Sequence, residues 1–201
     1  MLQNKREMIV KAAASSFSMF GYKKTTIDQV AKLANIGKGT VYTSFESKEN
    51  LFEAVLEQIL QEIQHVFDNS IDPEKEVEEN ISVALYEILT YRKQHQLLLK
   101  LSQEVSTIGS ANAKQALEKV EKFIIECIQR LLETAKNNGK INVDDPHITA
   151  FVIYKLYMAV TVEYSEIYEP LGKDEIVRLF NKHLTRGILS KNRSQSLSSK
   201  Q

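Results

Sequence analysis

A single cysteine, Cys127, occurs in 201 residues. No internal disulfide can form and no cysteine cluster can hold zinc, so a reducing cytoplasm is the expected compartment. Seven glycines and three prolines are too few for a collagen-like chain or a loop-rich scaffold. Residues 1–7 are polar and charged, and no signal-peptide apolar stretch follows them. Long hydrophobic runs are missing too. The most apolar segment, 148–162, spans about 15 residues and is broken by Lys155, where a membrane helix takes about 20. A soluble chain with no membrane association is expected.

Catalytic and metal signatures are equally scarce. There is no P-loop, no G-x-G-x-x-G and no H-E-x-x-H. Glu62 and His65 have the E-x-x-H spacing of di-iron bundles, but that chemistry needs a second pair and two further glutamates. His95, His147 and His183 are scattered, and Cys127 on an apolar helical face reads as an inert core thiol. No enzyme, metal or cofactor is expected. Net charge is absent as well: 26 Lys and Arg balance 26 Asp and Glu. Taken whole, that balance argues against a nucleic-acid partner.

What is present is helix. Apolar residues recur at helical spacing almost everywhere, and no run alternates with period two. The pattern predicts an all-α chain of about nine helices. Ile9, Ala13, Phe17 and Phe20 form a first stripe, stopped by Gly21. Thr26 and Gln29 form a capping box that opens a short helix to Ala34, and another short helix covers 38–44. Ser47 caps a longer helix with Phe52, Val55, Leu56, Ile59, Ile63 and Val66 inward. Asp72-Pro73 is read as the start of the next, running to Lys93. A helix over 95–105, a loop over 107–111 and a long helix ended by Gly139 follow. Asp145-Pro146 opens a helix apolar almost all round, expected to be buried on every side. Ile176, Leu179, Phe180, Leu184 and Ile188 mark the last helix, and the Ser-rich, basic stretch 191–201 reads as disordered.

Charge is unevenly placed along this chain. Over residues 1–50, eight cations (Lys5, Arg6, Lys11, Lys23, Lys24, Lys32, Lys38, Lys48) face four anions (Glu7, Asp28, Glu46, Glu49), a net of +4 that leaves −4 for the remainder. A basic head on an acidic body is the electrostatic footprint of a phosphate-contacting module. The two short helices flank Asn35-Ile36-Gly37, which makes a helix-turn-helix whose second helix would enter the major groove. Ile36 is the apolar plug beneath the turn. Gly39 has no helical merit, costing up to about 1 kcal/mol against alanine, so close approach of another molecule is its expected reason.

These residues carry a family resemblance. The stretch 9–56, including FGYKKTTIDQVAKLANIGKGTVYTSFESKENLFEAVL, resembles the DNA-binding domain of the tetracycline-repressor (TetR) family. The matching positions are Gly21, Thr25-Thr26, Ala31, Lys38 to Tyr42, Phe45, Ser47 to Glu49 and Leu51. Two positions depart: Gly37, where relatives often carry Ser, and Ser44, where they often carry His or Tyr. The resemblance implies a homodimeric regulator, usually a repressor, that binds a double-stranded operator and is released by a small hydrophobic or amphipathic effector. It implies a DNA-binding head over 1–48, an effector-binding and dimerisation body over 49–190, and a tail from 191.

The same resemblance distributes roles. Thr26 would contact phosphate, Lys38, Gly39, Thr40, Tyr42 and Thr43 would line the recognition helix, and Lys48 would bind phosphate. An effector pocket would draw on Tyr86, Leu89, Leu98, Leu101, Phe123, Cys127, Tyr154 and Met158, with Gln103 or Glu104 at one polar end. The last two helices would pair with their mates through Phe151, Tyr157, Ile176, Leu179, Phe180, His183 and Leu184. Two other readings compete: a helical-bundle ligand-binding protein or enzyme that keeps the head as a remnant, and a dimeric interaction scaffold.

Overall fold

The computed structural model describes residues 2–72, 74–94 and 96–185; Ile188 and the stretch 191–201 lie outside the described residues. Every element among the described residues is helical. In chain order they are α1 (Leu2–Lys24), α2 (Ile27–Leu33), α3 (Lys38–Ser44), α4 (Lys48–Ser70), α5 (Val77–Gln94), α6 (Gln96–Ile108), α7 (Ala111–Asn137), α8 (Pro146–Met158), α9 (Tyr164–Ile167) and α10 (Lys173–Phe180). A π-helical turn, Ala159–Glu163, joins α8 to α9, and another, Asn181–Thr185, continues α10. With α8 and α9 taken as one helix through that turn, the described chain is an all-α fold of nine helices.

Two compact units result: residues 1–63 with 91–121, and residues 64–90 with those from 122 onward. The core of the first is built from Ile9, Ala13 and Phe17 of α1, Val30 of α2, Val41 of α3, Leu51, Val55 and Leu56 of α4, and Leu101 of α6, each at most 1% exposed. Phe17, Tyr22 and Phe52 stack around it with ring centroids 4.7–6.0 Å apart. The second unit holds two apolar clusters. Ile125, Leu132, Ile141, Val143, Ala150 and Tyr154 make one, and Leu85, Leu89, Ile176, Phe180 and Leu184 the other.

Local chemistry sets the helix ends. Gly21 breaks α1 at φ 81°, ψ 173°, a region essentially reserved for glycine. Ser47 Oγ accepts from the Asn50 amide at 3.1 Å and so caps α4. Gly139 (φ 67°) closes α7, as its amide reaches Lys136 O at 2.9 Å and that of Lys140 reaches Ala135 O at 2.9 Å. Asp145 caps α8 by accepting from the amides of His147 and Ile148.

Four expectations are corrected. Asp72 does not cap α5: its carboxylate takes the Glu74 amide (3.0 Å) in a local turn braced by Asn80, so α5 starts only at Val77. α6 runs on to Ile108, and the loop after it shrinks to Gly109 and Ser110. On α4, Phe67 is buried at 4% where Val66 was expected, because a straight helix drifts against a fixed spacing. α8 is not covered on every side. Its own unit buries Ala150 and Tyr154 but leaves Ile148 60%, Phe151 44% and Val152 44% exposed.

Candidate nucleic-acid interface

The helix-turn-helix forms as its residues dictate. Thr26 Oγ1 accepts from the Gln29 amide (3.3 Å) while Gln29 Oε1 accepts from the Thr26 amide (2.8 Å), so the capping box at the start of α2 is complete. At the other end Asn35 takes φ 54° and the Ile36 amide reaches Ala31 O at 3.0 Å, an αL reversal that turns the chain into α3. Ile36 is half-buried beneath the turn. Val41 (0% exposed) and Phe45 (5%) anchor α3 from below, and the Arg6 guanidinium lies over the Phe45 ring at 4.8 Å.

With Val41 turned inward, the opposite side of α3 faces out. Lys38, Gly39, Tyr42 and Thr43 are exposed and Thr40 is half-buried; Tyr42 is 48% exposed. Thr43 Oγ1 donates to Thr40 O at 2.8 Å, which holds that hydroxyl along the helix. A Cβ added at Gly37 or Gly39 would meet no atom within 4 Å. The fold therefore does not require glycine at 39. Lys38 pairs with Asp28 of α2 at 2.8 Å. The hydrogen bond to Asp28, and then its charge, holds the Lys38 ammonium above the ordinary lysine range. Both partners are solvent-exposed, so the pair adds little stability and leaves the ammonium readily exchanged onto a stronger anion.

Lys48 has a structural duty that its sequence position does not reveal. Its Nζ donates to Tyr22 O (3.1 Å) and Thr25 O (3.2 Å) and lies 4.4 Å above the Tyr22 ring. Tyr22 in turn donates its hydroxyl to Glu49 Oε1 at 2.6 Å. Burial, and then the Glu49 carboxylate, push the Tyr22 phenol well above its usual range, while that hydrogen bond lowers Glu49. An ammonium carries three donors, two of them engaged here, so one is left for a phosphate. Lys48→Ala is expected to lower stability by about 1–3 kcal/mol through these charge-assisted bonds. It should also reduce the slope of log affinity against log salt by about one. Thermal unfolding alongside a salt titration of DNA binding checks both; an unchanged slope would remove Lys48 from the phosphate contacts.

The other sequence-selected residues are dispersed. Leu98, Leu101 and Gln103 fall in the first unit, half-buried, fully buried and exposed respectively. In the second unit Tyr154 and Met158 meet in one cluster and Leu89 belongs to the other, while Phe123 is half-buried. Tyr86 is 45% exposed under the Lys173 ammonium. Cys127 is 2% exposed with its thiol 3.5 Å from Gln64 Oε1, and burial raises its pKa. A hollow of about 360 Å³ in the first unit is lined by α1, α4 and α6, with Ser18, Met19, Gln58 and Leu97 on its wall and none of the nine pocket residues. Of the residues assigned to pairing, Ile176, Phe180 and Leu184 are 2–4% exposed inside the chain's own core. Tyr157 and Leu179 are half-buried beside them, whereas Phe151 and His183 face outward.

No helix among the described residues is long and apolar enough to cross a membrane. Sequence comparison agrees with the geometry. The family model for bacterial regulatory proteins of the tetR family matches residues 9–55. The uncharacterized HTH-type transcriptional regulator YhgD of Bacillus subtilis is 39% identical over 185 residues, covering 92% of this chain and 97% of that protein. Among solved structures, reduced NemR of E. coli (22% identical, TM-score 0.73) spans 94% of this chain and 99% of its own. A SmeT–triclosan complex (16% identical, TM-score 0.74) spans 94% and 93%. The chain belongs to the tetR family of bacterial regulatory proteins. It is a helix-turn-helix transcriptional regulator.

Proposed function

We propose that this protein is a homodimeric cytoplasmic repressor that binds a pseudo-palindromic operator and leaves it when a small hydrophobic or amphipathic effector binds. In this reading residues 1–48 are the reading head, and residues 49–190 hold the effector site and the dimer face. The observation that carries it is the outer side of α3. Lys38, Gly39, Thr40, Tyr42 and Thr43 line one solvent-facing strip, and a Cβ at Gly39 would touch nothing in the chain. Such a strip admits a groove edge close to its backbone. Lys38 and Lys48 supply phosphate contacts, with Thr26 at the head of α2 as a further one. Two heads about 34–36 Å apart would meet successive major grooves.

Enrichment of duplexes from a random-sequence pool by the purified protein tests this directly. A bipartite palindrome, bound with steep salt dependence, is the expected product. Recovery of no duplex would defeat the reading. Thr40→Ala and Tyr42→Ala, rerun through the same selection, should change the preferred bases at one or two positions per half-site, each by about 1–3 kcal/mol. Uniform weakening across all duplexes would place these side chains on the phosphate backbone instead.

A further inference from the structure

The link between α1 and α2 is braced from three helices. Within it, Thr25 Oγ1, 1% exposed, donates to Gly21 O at 2.8 Å, and Ser16 Oγ of α1 donates to Thr25 Oγ1 at 3.4 Å. α4 reaches it through Lys48, on Tyr22 O and Thr25 O. From α6 comes Glu104, a carboxylate only 8% exposed, which accepts the Lys23 backbone amide through both oxygens at 3.2 Å each. Gly21 makes room for it: a Cβ there would overlap Glu104 Oε2. The chain leaving the helix-turn-helix is tied to the same place, since Tyr22 holds Glu49 with its hydroxyl and Lys48 with its ring. Both covalent ends of α2–α3 therefore converge on residues 21–25.

An apolar residue on α6 would pack against α1 without the desolvation that a buried carboxylate demands. What the carboxylate adds is direction, because two acceptor oxygens on one amide fix where Lys23 sits. On the DNA-binding reading above, we propose that Glu104 is a positioning residue that sets the angle at which α2 and α3 leave α1, and so the seating of α3 in its groove. It touches no DNA itself. Its effect runs through the Lys23 amide and the glycine beside it.

The test uses the full chain with Glu104→Leu, which keeps bulk and removes both acceptors, and Glu104→Gln, which keeps one. Probes are the duplex enriched by the native protein and versions with one base pair added or removed between half-sites. Glu104→Leu should reduce the preference for native spacing by about tenfold to 100-fold, with helix content and unfolding midpoint retained, and Glu104→Gln should recover part of it. Preserved preference in both variants would overturn the proposal. So would an equal loss on every duplex together with a lower midpoint, which marks a purely structural role. A readout independent of DNA separates this from failure of the DNA-binding reading. Spin labels at Lys32→Cys and Ser106→Cys, in a Cys127→Ser background diluted with excess unlabelled Cys127→Ser protein so that only distances within one chain are read, should give one narrow distance that broadens or shifts with Glu104→Leu. An unaltered distribution defeats the positioning role whether or not a duplex is found.

Discussion

Phe151→Glu is expected to yield a monomer whose operator affinity is about 10²–10⁴-fold weaker, the gain that linking two modest binding sites provides. The reasoning starts from α8. Ile148, Phe151 and Val152 are 60%, 44% and 44% exposed on a mostly apolar helix, a strip that water leaves unsatisfied and a second copy would cover. A two-fold interface presents the same patch from both sides, so one substitution sets two like charges against each other in a contact that must be desolvated. The single chain tolerates the change, because Phe151 is not part of its own core. The new carboxylate lies one turn before Lys155, whose ammonium is already 5.3 Å from the Phe151 ring, an order that favours the helix. Sedimentation equilibrium and a titration on the enriched duplex measure both effects. An unaltered dimer would move the interface elsewhere.

Gly39→Leu is expected to leave the fold intact, or slightly firmer, while removing sequence-specific DNA binding. Leucine exceeds glycine in helix propensity by nearly 1 kcal/mol, and position 39 has nothing within 4 Å of its missing Cβ to obstruct a side chain. Bound DNA would supply the obstruction. Specific complexes exceed non-specific ones by about 10³–10⁷, so unseating α3 should appear as a loss of at least about 10³-fold on the enriched duplex. Affinity for random DNA should barely change. Circular dichroism, thermal unfolding and gel shifts on both probes decide it: a variant that still prefers the enriched duplex would mean the groove does not approach residue 39.

The head was the legible part. Its features are local: Thr26 and Gln29 three residues apart, Asn35 able to take positive φ, Gly21 where the chain must reverse, Val41 and Phe45 one turn apart. Each acts over a handful of residues, so the order of side chains suffices. Lys48 marks the limit. Its place at the start of α4 was visible, whereas its grip on Tyr22 and Thr25, more than twenty residues back, was not. Glu104 left a faint trace, as an acid on the apolar stripe of Leu97 and Leu101. That trace cannot name Gly21 and Lys23 as the partners, which lie about eighty residues away.

The body was legible as helices and opaque as a site. Eight of the nine residues chosen for a pocket share apolar or aromatic character, yet the fold sends Leu101 to one core, Tyr154 to a second and Leu89 to a third. Hydrophobic burial is non-directional, so an apolar stripe states that it will be covered and not by what. The final helix illustrates it: Ile176, Phe180 and Leu184 could serve a partner or the chain itself, and Leu85 and Leu89 claim them.

By itself, then, the sequence determined the class: all-helical, with a helix-turn-helix inside a basic N-terminal segment and a single cysteine, which cannot form an internal disulfide. Those properties follow from composition and short-range spacing. Tertiary structure alone decided which apolar faces are covered within the chain, which stay open on α8, and how residues 21–25 are braced from α4 and α6. Such choices join groups far apart in the chain, where many pairings satisfy the same pattern and only packing and hydrogen-bond geometry select one.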